Sequence, residues 1–503
     1  MHYRREFRHT WYGPPIKALV RSTENTLFWF ARQPSRILTG FRRVTVRARR
    51  ALARSLNTAI TRATSQNLYT KTRTFYREHL SHRWVGPPLK AAFIVLERLA
   101  IRMRTWLRQV AKENYPNARV CNLADVAEYA DSRAFDSTVI FPSEAIELAV
   151  PRCSPAADAH IFGAAIKQHG LADIRAWSIE RATVVGMSDL VVHEDCTLHH
   201  QLYDFEHDAT SEELHSRALI DPLMRRITWY QNTHPADSIP AGISLLGSCT
   251  NNYAHWLTET LPKLATVDTV EDFRKFPVLI DAGLPANIRA SINSVAGFDR
   301  EVIEVNPDHP ILVEQLIFVD QSGYVPFGPR DKSGTAVRHG VFASAPFRTM
   351  LGRIRENLDD TDESTSKRIF LRRNSSHRMV MNERQVESAL VERGYTVVEP
   401  EKLDFAQQVR LFSSAQSIVG ATGAACANLV FAPPDSNIVI LIAKHRQMPY
   451  YYWQSMAQAV GNTVSYALGE PEGDEADTIH ASYRVCVDDL LELVDVGTKP
   501  GLK

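Results

Sequence analysis

Residues 421–425 (Ala-Thr-Gly-Ala-Ala) follow the apolar run 417–420. An earlier apolar run, 368–373, ends in two adjacent arginines, Arg372 and Arg373. A glycine turn between a strand and a helix lets an anion approach unpaired backbone N–H groups and the positive end of the helix dipole. Guanidinium groups add bidentate hydrogen bonds to phosphate. We therefore predict a nucleotide-phosphate site formed by Arg372, Arg373, Arg378, Thr422, Gly423, Ala424 and Asn428.

The segment that carries these residues alternates strand and helix patterns. Asn382 and Asp404 are expected helix N-caps, because a glutamine follows each of them three residues later. Alternation of this kind favours a parallel sheet covered by helices, with ligands at the carboxyl ends of the strands. The expected strands are 368–373, 396–399, 417–420 and 437–442, and the expected helices are 382–394, 404–415 and a short one after Gly423, within 421–434.

Other interpretations fit the turn when it is taken alone. Turns of this type also pack a helix onto a sheet in many α/β domains, and arginines often cap strands in solvent. A dinucleotide-dependent oxidoreductase would use residues 417–425 as its turn. The next strand, however, ends in Lys444 and His445, where such enzymes carry an acidic residue. The arginines on the neighbouring strand favour phosphate binding.

Two separated blocks resemble glycosyltransferase family 61. The first is NNYAHWLTETLPKL (251–264); the second comprises IFLRRNSSHRMVMNERQ and LDFAQQVRLFSSAQSIVGATGAACANLVFAPPDSNIVIL. Their order and separation are also similar to that family, over roughly residues 120–470. The resemblance implies a GT-B architecture of two Rossmann-type lobes, a nucleotide-sugar donor, most often UDP-linked, and inversion at the anomeric carbon. It also implies a bacterial enzyme of capsular or surface-polysaccharide synthesis, with a glycan or lipid-linked acceptor.

The turn departs from the family pattern at one position. Many members have histidine in a Gly-x-His-Gly-Ala sequence, whereas this chain has Thr422. A threonine hydroxyl can bind a phosphate or ribose oxygen, but it carries no positive charge. Thr422 is the main support for an alternative function, a catalytically inactive family member that serves as a membrane-associated scaffold or assembly protein.

The first block supplies the expected catalytic residues, His255 and Glu259. A helix from about Tyr253 to a break at Pro262 would place them one turn apart on one face. Inverting transfer needs a base for the acceptor hydroxyl, and Glu259 would orient or charge-stabilise a His255 base. Alternatively, Glu259 is itself the base. The pair would also fit a helix-stabilising contact, or a histidine that contacts the donor.

We expect neither a metal nor another cofactor. The His255–Glu259 pair has no third ligand nearby. An Asp-x-Asp pattern occurs in 359–365, but its acidic, non-periodic setting is typical of a linker or surface loop. The aromatic residues 450–453 would either stack on a base or sugar ring or, as is more common, pack in the protein interior. The six cysteines are scattered, which favours isolated buried thiols and a reducing compartment.

The 503 residues carry a net charge near +1, which conceals a strong asymmetry. Residues 1–119 hold 25 Lys and Arg against five Glu and no Asp, whereas the remainder holds 33 basic and 52 acidic residues. The chain is long enough for two lobes and a further region. The expected division is a basic helical region (1–119), an acceptor-side α/β lobe (120–345), a nucleotide-sugar-binding lobe (346–470) and a strand-helix tail (471–503).

The basic region contains a duplicated element, HTWYGPPIKA (9–18) and HRWVGPPLKA (82–91), each followed by a helical pattern. The second pattern, 89–111, is amphipathic and basic, which suits an anionic membrane surface. A helical arm that docks on the acidic remainder is an alternative, and nucleic acid is a less favoured partner. No apolar run is long enough to span a bilayer, and the start lacks signal-peptide order. We expect a cytoplasmic protein that is peripheral to the inner membrane.

Overall fold

The computed structural model describes residues 118–133, 135–325, 327–329, 340–358, 367–373, 378–473 and 478–496. Apart from its last two residues, the predicted basic helical region (1–119) lies outside this part of the chain. The acidic segment 359–365 also lies outside it. Among the helices that are described, none has both the length and the apolar character needed to cross a membrane.

The strands are numbered in chain order. Those before residue 343 are β1 (Arg119–Asp125), β2 (Asp136–Phe141), β3 (Glu144–Leu148), β4 (Arg152–Ser154), β5 (Ile166–Leu171), β6 (Ile174–Val184), β7 (Val191–His193), β8 (Cys196–His199), β9 (Asp208–Ala209), β10 (Ala218–Asp221), β11 (Arg226–Trp229), β12 (Asp237–Ser244), β13 (Val278–Asp281), β14 (Val302–Val305), β15 (Ile311–Val319), β16 (Gly323–Tyr324), β17 (Gly328–Pro329) and β18 (Val341–Phe342). The later ones are β19 (Arg368–Leu371), β20 (Thr396–Val398), β21 (Ser417–Ala421), β22 (Asn437–Ala443), β23 (Val464–Glu472) and β24 (Ser482–Arg484).

The α-helices are α1 (Val126–Arg133), α2 (Ser211–Leu214), α3 (Tyr253–His255), α4 (Leu261–Val267), α5 (Ala286–Ala296), α6 (Ser344–Asn357), α7 (Glu383–Val391), α8 (Phe405–Ser414), α9 (Tyr451–Ala459) and α10 (Val487–Val496). A π-helical segment, Trp256–Thr260, joins α3 to α4, and the three together are called the 253–267 helix. Short 3-10 helices cover Ala156–Phe162, Glu271–Lys275, Pro400–Lys402 and Ala424–Phe431.

The first large sheet has eleven strands in the order β10-β11-β1-β8-β7-β6-β15-β12-β13-β14, with β2 paired to β6. The end of this sheet from β15 to β14 is parallel, whereas β6 runs antiparallel to β15. The parallel end contains four strands. Of these, β12 comes first in the chain, and it lies between β13, the second, and β15, the fourth. In doubly wound sheets a ligand crevice opens where the strand order reverses in this way, outside the carboxyl ends. The crevice expected here lies at the ends of β12 and β15.

The second large sheet follows the order β20-β19-β21-β22-β23-β24, and β4 pairs with β23. Its first five strands are parallel and have the doubly wound order 2-1-3-4-5. The order reverses between β19 and β21, so a ligand crevice is expected at their carboxyl ends. Two further strands pair with β23. One is β4, which is parallel but comes from much earlier in the chain, and the other is β24, which is antiparallel.

Most elements predicted for 368–442 are confirmed, with ends that differ by a few residues. Asp404 caps α8 and forms the predicted capping box with Gln407. Asn382 precedes α7, but its side chain does not cap the helix. It bonds to both backbone groups of Val485 instead, because that segment lies beside it. The mixed α/β class is therefore confirmed for the described residues.

One hydrophobic cluster contains buried residues of both large sheets. It includes Ile317 in β15, Val419 in β21 and Trp256 in the 253–267 helix, each at most 1% exposed. Burying side chains of this size contributes about 1.5–3 kcal/mol each. The shared core therefore fixes the 253–267 helix against the remainder of the protein.

Candidate active site

The turn after β21 has the geometry that the sequence predicts. β21 ends at Ala421, and the 3-10 helix begins at Ala424 after the extended residue Gly423. The first N–H groups of a helix have no partner inside it. Ala424 is exposed, so the start of this helix lies at the protein surface, beyond the carboxyl end of β21.

Arg373, two residues after the end of β19, lies over this turn. Its Nη1 donates a hydrogen bond to the backbone oxygen of Thr422. A Cβ atom added to Gly423 would overlap the same nitrogen. A side chain at position 423 would therefore displace the Arg373 guanidinium from the turn. The Arg373 Nε is buried and has no acceptor among the described residues.

Arg378 belongs to the same positively charged group. Its backbone has a φ of 55°, and its Nη2 lies 3.0 Å from Nδ1 of His480. Burial and, next, the charge of Arg373 lower the pKa of the Arg378 guanidinium. Among the described residues, neither arginine forms an ion pair with a carboxylate. Two cations that repel each other, with no carboxylate partner in the described part of the chain, favour the binding of an anion.

The structure does not bring Arg372 to the turn. Neighbouring residues of an extended chain point to opposite sides, and the Arg372 guanidinium instead pairs with Glu387 at 3.0 Å and Glu399 at 3.4 Å. These carboxylates lie in α7 and after β20. We therefore correct the prediction that Arg372 contributes to the same phosphate site as Arg373.

Asn428 and Thr422 also have protein partners. The Asn428 side chain is fully buried, donates to Gln408 and accepts from the Tyr253 hydroxyl, both at 2.7 Å. The Thr422 hydroxyl accepts a hydrogen bond from Trp453 Nε1 at 3.1 Å. Both side chains thus support the turn through protein partners, and their predicted contact with a ligand stays a prediction.

The 253–267 helix holds His255 and Glu259. The Asn252 side chain caps its start by accepting the N–H of Ala254 at 3.0 Å. The predicted break at Pro262 is wrong, since the helix continues to Val267. Proline has no N–H to donate, and the wider π turn that precedes it accommodates both the missing bond and the ring. Single π turns are frequent at functional sites.

His255 and Glu259 are in direct contact. His255 Nδ1 lies 2.7 Å from Glu259 Oε1, and the side chains are 21% and 15% exposed. The imidazole stacks on Phe327, with ring centroids 5.5 Å apart. Burial opposes a charged imidazole, but the charge and hydrogen bond of Glu259 outweigh it, so the pKa of His255 is raised. Glu259 contacts Nδ1, so Nε2 is the ring nitrogen that a proton transfer with another group would use.

The 253–267 helix and the Gly423 turn are adjacent. The Tyr253 hydroxyl reaches Asn428 in the 3-10 helix that follows the turn. The Tyr452 hydroxyl lies 3.3 Å from the Thr258 hydroxyl, and Trp453 contacts Thr422. Residues 450–453 are all at most 9% exposed. The packing interpretation of this aromatic segment is therefore confirmed, and it joins the two parts of the site.

Sequence reasoning missed a group of buried titratable residues that interact with Lys263. Asp189, His200 and Asp320 come from three separate segments, and Lys263 lies one turn after Glu259. Burial raises the pKa of Asp320 to about 7. No spacing in the sequence joins the first three residues. Only Lys263 had a signal, its position four residues after Glu259.

A protein-family model matches part of the chain. Residues 253–439 match the family model described as Glycosyltransferase 61, a range that begins at the 253–267 helix and includes Arg373 and the Gly423 turn. No curated protein matches the chain. The family match confirms the resemblance found in the sequence. Over residues 253–439 the chain therefore matches glycosyltransferase family 61, and this match supports glycosyltransferase activity.

Proposed function

We propose that this enzyme transfers a sugar from a UDP-sugar to a glycan or lipid-linked acceptor, with inversion at the anomeric carbon and without a metal ion. The diphosphate binds at the Gly423 turn, and the acceptor hydroxyl is deprotonated by His255. The observation that carries this proposal is the pair of guanidinium groups at Arg373 and Arg378, which have no carboxylate partner among the described residues, beside the first N–H groups of a helix.

The charge arrangement supports a diphosphate leaving group. When the bond between the sugar and the diphosphate breaks, negative charge grows on the phosphate oxygens. Fixed donors that point at developing charge stabilise a transition state without reorganising during the reaction. Arg373 and the amides near Ala424 supply such donors, and Arg378 adds a second cation. This set can neutralise a diphosphate without a divalent cation.

The sheet topology supports a GT-B arrangement of two Rossmann-type lobes. The parallel part of each large sheet has one reversal of strand order, with predicted site residues after the carboxyl ends of the strands there. Arg373 and Gly423 lie at the reversal in the second sheet. The 253–267 helix follows β12, which borders the reversal in the first sheet. We assign the donor to the second sheet and the acceptor to the first.

A nucleotide-sugar screen tests the donor. UDP and UDP-sugars are expected to raise the melting temperature of the full chain by a few degrees, because saturating ligand at about 100 times Kd adds about 2.7 kcal/mol of stability. The shift is expected to persist in EDTA. GDP-sugars, CMP-sugars and NAD serve as controls. A shift with NAD alone, or with none of the nucleotide sugars, would contradict the proposal.

We further propose that the enzyme acts in bacterial surface-polysaccharide synthesis at the cytoplasmic face of the inner membrane. The support is the excess of about twenty positive charges in residues 1–119. Each Lys or Arg near an anionic surface contributes about 1 kcal/mol. A polysaccharide enzyme with a lipid-linked acceptor needs to stay at that surface.

Vesicle sedimentation tests this role of the basic region. The full chain is expected to bind phosphatidylglycerol vesicles more tightly than neutral phosphatidylcholine vesicles, and less tightly as salt rises. Glutamine at Arg98, Arg102, Arg104 and Arg108 should lower the partition coefficient at least about tenfold. Equal binding by the variant, or tighter binding to duplex DNA than to the vesicles, would count against a membrane role.

A further inference from the structure

The side chain of His480 holds the guanidinium group of Arg378. His480 lies two residues before β24, and its Nδ1 is 3.0 Å from Nη2 of Arg378. Arginine has only hydrogen-bond donors, so the imidazole nitrogen is the acceptor in this contact. His480 lies outside the range that matches the family model, 253–439. Arg378 therefore depends on a residue from a later part of the chain.

The second sheet fixes the position of His480 relative to Arg378. The bridge between Val380 and Tyr483 is parallel, so Arg378 and His480 precede the two paired segments at the same end. The Tyr483 side chain is fully buried, and its hydroxyl donates to the Leu441 oxygen in β22 at 2.7 Å. Both segments are therefore tied to the core of the sheet.

The backbone of Arg378 has an unfavourable conformation. Its φ of 55° lies in the left-handed region, which residues other than glycine rarely adopt. Such conformations persist where surrounding contacts impose them, and they are frequent at ligand sites. Here the contacts are the pairing with β24 and the hydrogen bond to His480. Arg378 is thus held in place by the protein itself.

Among the described residues, no carboxylate holds either Arg373 or Arg378. Arg378 donates to the imidazole of His480, and Arg373 donates to the backbone oxygen of Thr422. Neither acceptor has a formal negative charge, so neither cancels the positive charge of its guanidinium. Both arginines are positioned and remain cationic.

Arg372 shows the opposite arrangement. Its guanidinium pairs with the carboxylates of Glu387 and Glu399, and it does not lie at the turn. A carboxylate holds an arginine more strongly than an uncharged acceptor does. It also offsets the positive charge and repels an approaching anion. The uncharged acceptors at Arg373 and Arg378 are therefore the arrangement expected where a ligand supplies the counter-charge.

We propose that His480 is a positioning residue of the donor site, whose imidazole holds the Arg378 guanidinium for the diphosphate without neutralising it. The inference rests on the proposed function, in which Arg378 is the second cation for the diphosphate of the nucleotide sugar. Burial and the charge of Arg373 both lower the pKa of Arg378, so a bound diphosphate offsets an unfavourable pair of charges. The donor site thus extends beyond the matched range to residue 480.

Two variants of the same shape test whether the acceptor must be uncharged. Asparagine and aspartate both place an oxygen two bonds from Cβ, where histidine has Nδ1. His480→Asn keeps an uncharged acceptor, so its Kd for inorganic pyrophosphate should stay within about threefold of the wild-type value. His480→Asp adds a carboxylate that pairs with Arg378 and repels the ligand, so its Kd should be at least about tenfold higher than that of His480→Asn. Calorimetric titration of the full chain measures both.

Removal of the acceptor tests whether His480 acts through Arg378. His480→Leu is expected to raise the pyrophosphate Kd about fivefold, the effect of one lost hydrogen bond. In an Arg378→Ala background the same change should cause no further loss, because the residue that His480 positions is absent. His160→Leu is the matched control. His160 is another exposed histidine, with Nδ1 3.0 Å from the Ala157 oxygen, and its replacement should leave the Kd unchanged.

Equal Kd values for His480→Asp and His480→Asn would overturn the proposal, because a purely structural contact would work with either side chain. A further loss from His480→Leu in the Arg378→Ala background would also overturn it, since His480 would then contact the ligand itself. So would a wild-type chain that does not bind pyrophosphate. His480 is exposed, so the variants are expected to fold, and the melting temperatures of the ligand-free proteins check this.

Pyrophosphate binding requires neither a sugar donor nor an acceptor, so this inference and the proposed function can fail separately. If the variants rank as expected but no UDP-sugar binds, the proposed function is contradicted and the role of His480 at an anion site stands. If UDP binds and the variants do not rank in this order, the role of His480 is overturned and the proposed function stands.

Discussion

Alanine in place of Arg373 is expected to lower kcat/KM for sugar transfer by about 10²–10³-fold, the loss typical of removing one preorganised donor to developing charge. The guanidinium is held at the turn by its bond to the Thr422 oxygen and lacks a carboxylate partner among the described residues. It therefore gains its strongest interactions only when phosphate is present. The same variant should lose most of the thermal shift caused by UDP.

Arg372 provides a matched control for this prediction. It is the adjacent residue and has the same side chain, but its guanidinium pairs with Glu387 and Glu399. Arg372→Ala should therefore change kcat/KM only a few-fold. Gly423→Ala should act like the Arg373 variant, because its methyl group occupies the position of Nη1. Equal losses in the two arginine variants would show that the phosphates bind elsewhere.

The second sheet could be predicted from the sequence because local patterns determine most of it. Apolar runs of four to seven residues alternate with amphipathic, capped helices, and each strand pairs in parallel with its neighbours. The pairing of β4 with β23 could not be predicted in this way, since about 300 residues separate the two strands. Such pairings depend on tertiary packing that no local pattern records.

The sequence predicted which residues lie at the Gly423 turn better than it predicted their side-chain partners, and the reasons are physical. Strand alternation alone would have separated Arg372 from Arg373, because adjacent side chains point to opposite sides. Asn428 and Thr422 looked available, but the tight packing of the 3-10 helix against Tyr253 and Trp453 occupies both. A polar residue in a motif can thus support the turn without touching the ligand.

The buried titratable residues near Lys263 were missed for a different reason. Asp189, His200 and Asp320 come near Lys263 through the order of strands in the first sheet, in which β6 lies beside β15. Burial shifts the pKa values of these side chains, and the composition of the chain does not reveal which residues are buried. The surroundings of Lys263 therefore depend on the order of strands in the first sheet. The Gly423 turn and Arg373, by contrast, follow neighbouring strands of the second sheet that local sequence patterns predict.

Replacement of His255 by glutamine is expected to reduce kcat/KM by about 10²–10⁴-fold, the usual contribution of a general base. A base acts only when deprotonated, and Glu259 raises the pKa of His255 above its ordinary value of 6.5. Wild-type kcat/KM should therefore fall about tenfold for each pH unit below a midpoint that lies above 6.5. The pH–rate profile of the full chain measures this directly.

Glu259→Gln distinguishes the two possible bases. The amide cannot offset the burial of the imidazole, so the midpoint should move below 6.5 while the plateau rate falls. A residual rate with a shifted midpoint identifies His255 as the base and Glu259 as its partner. If Glu259 were the base, Glu259→Gln would remove activity at every pH and His255→Gln would retain the larger share. Because the two side chains share one hydrogen bond, the double variant should be little worse than the more damaging single one.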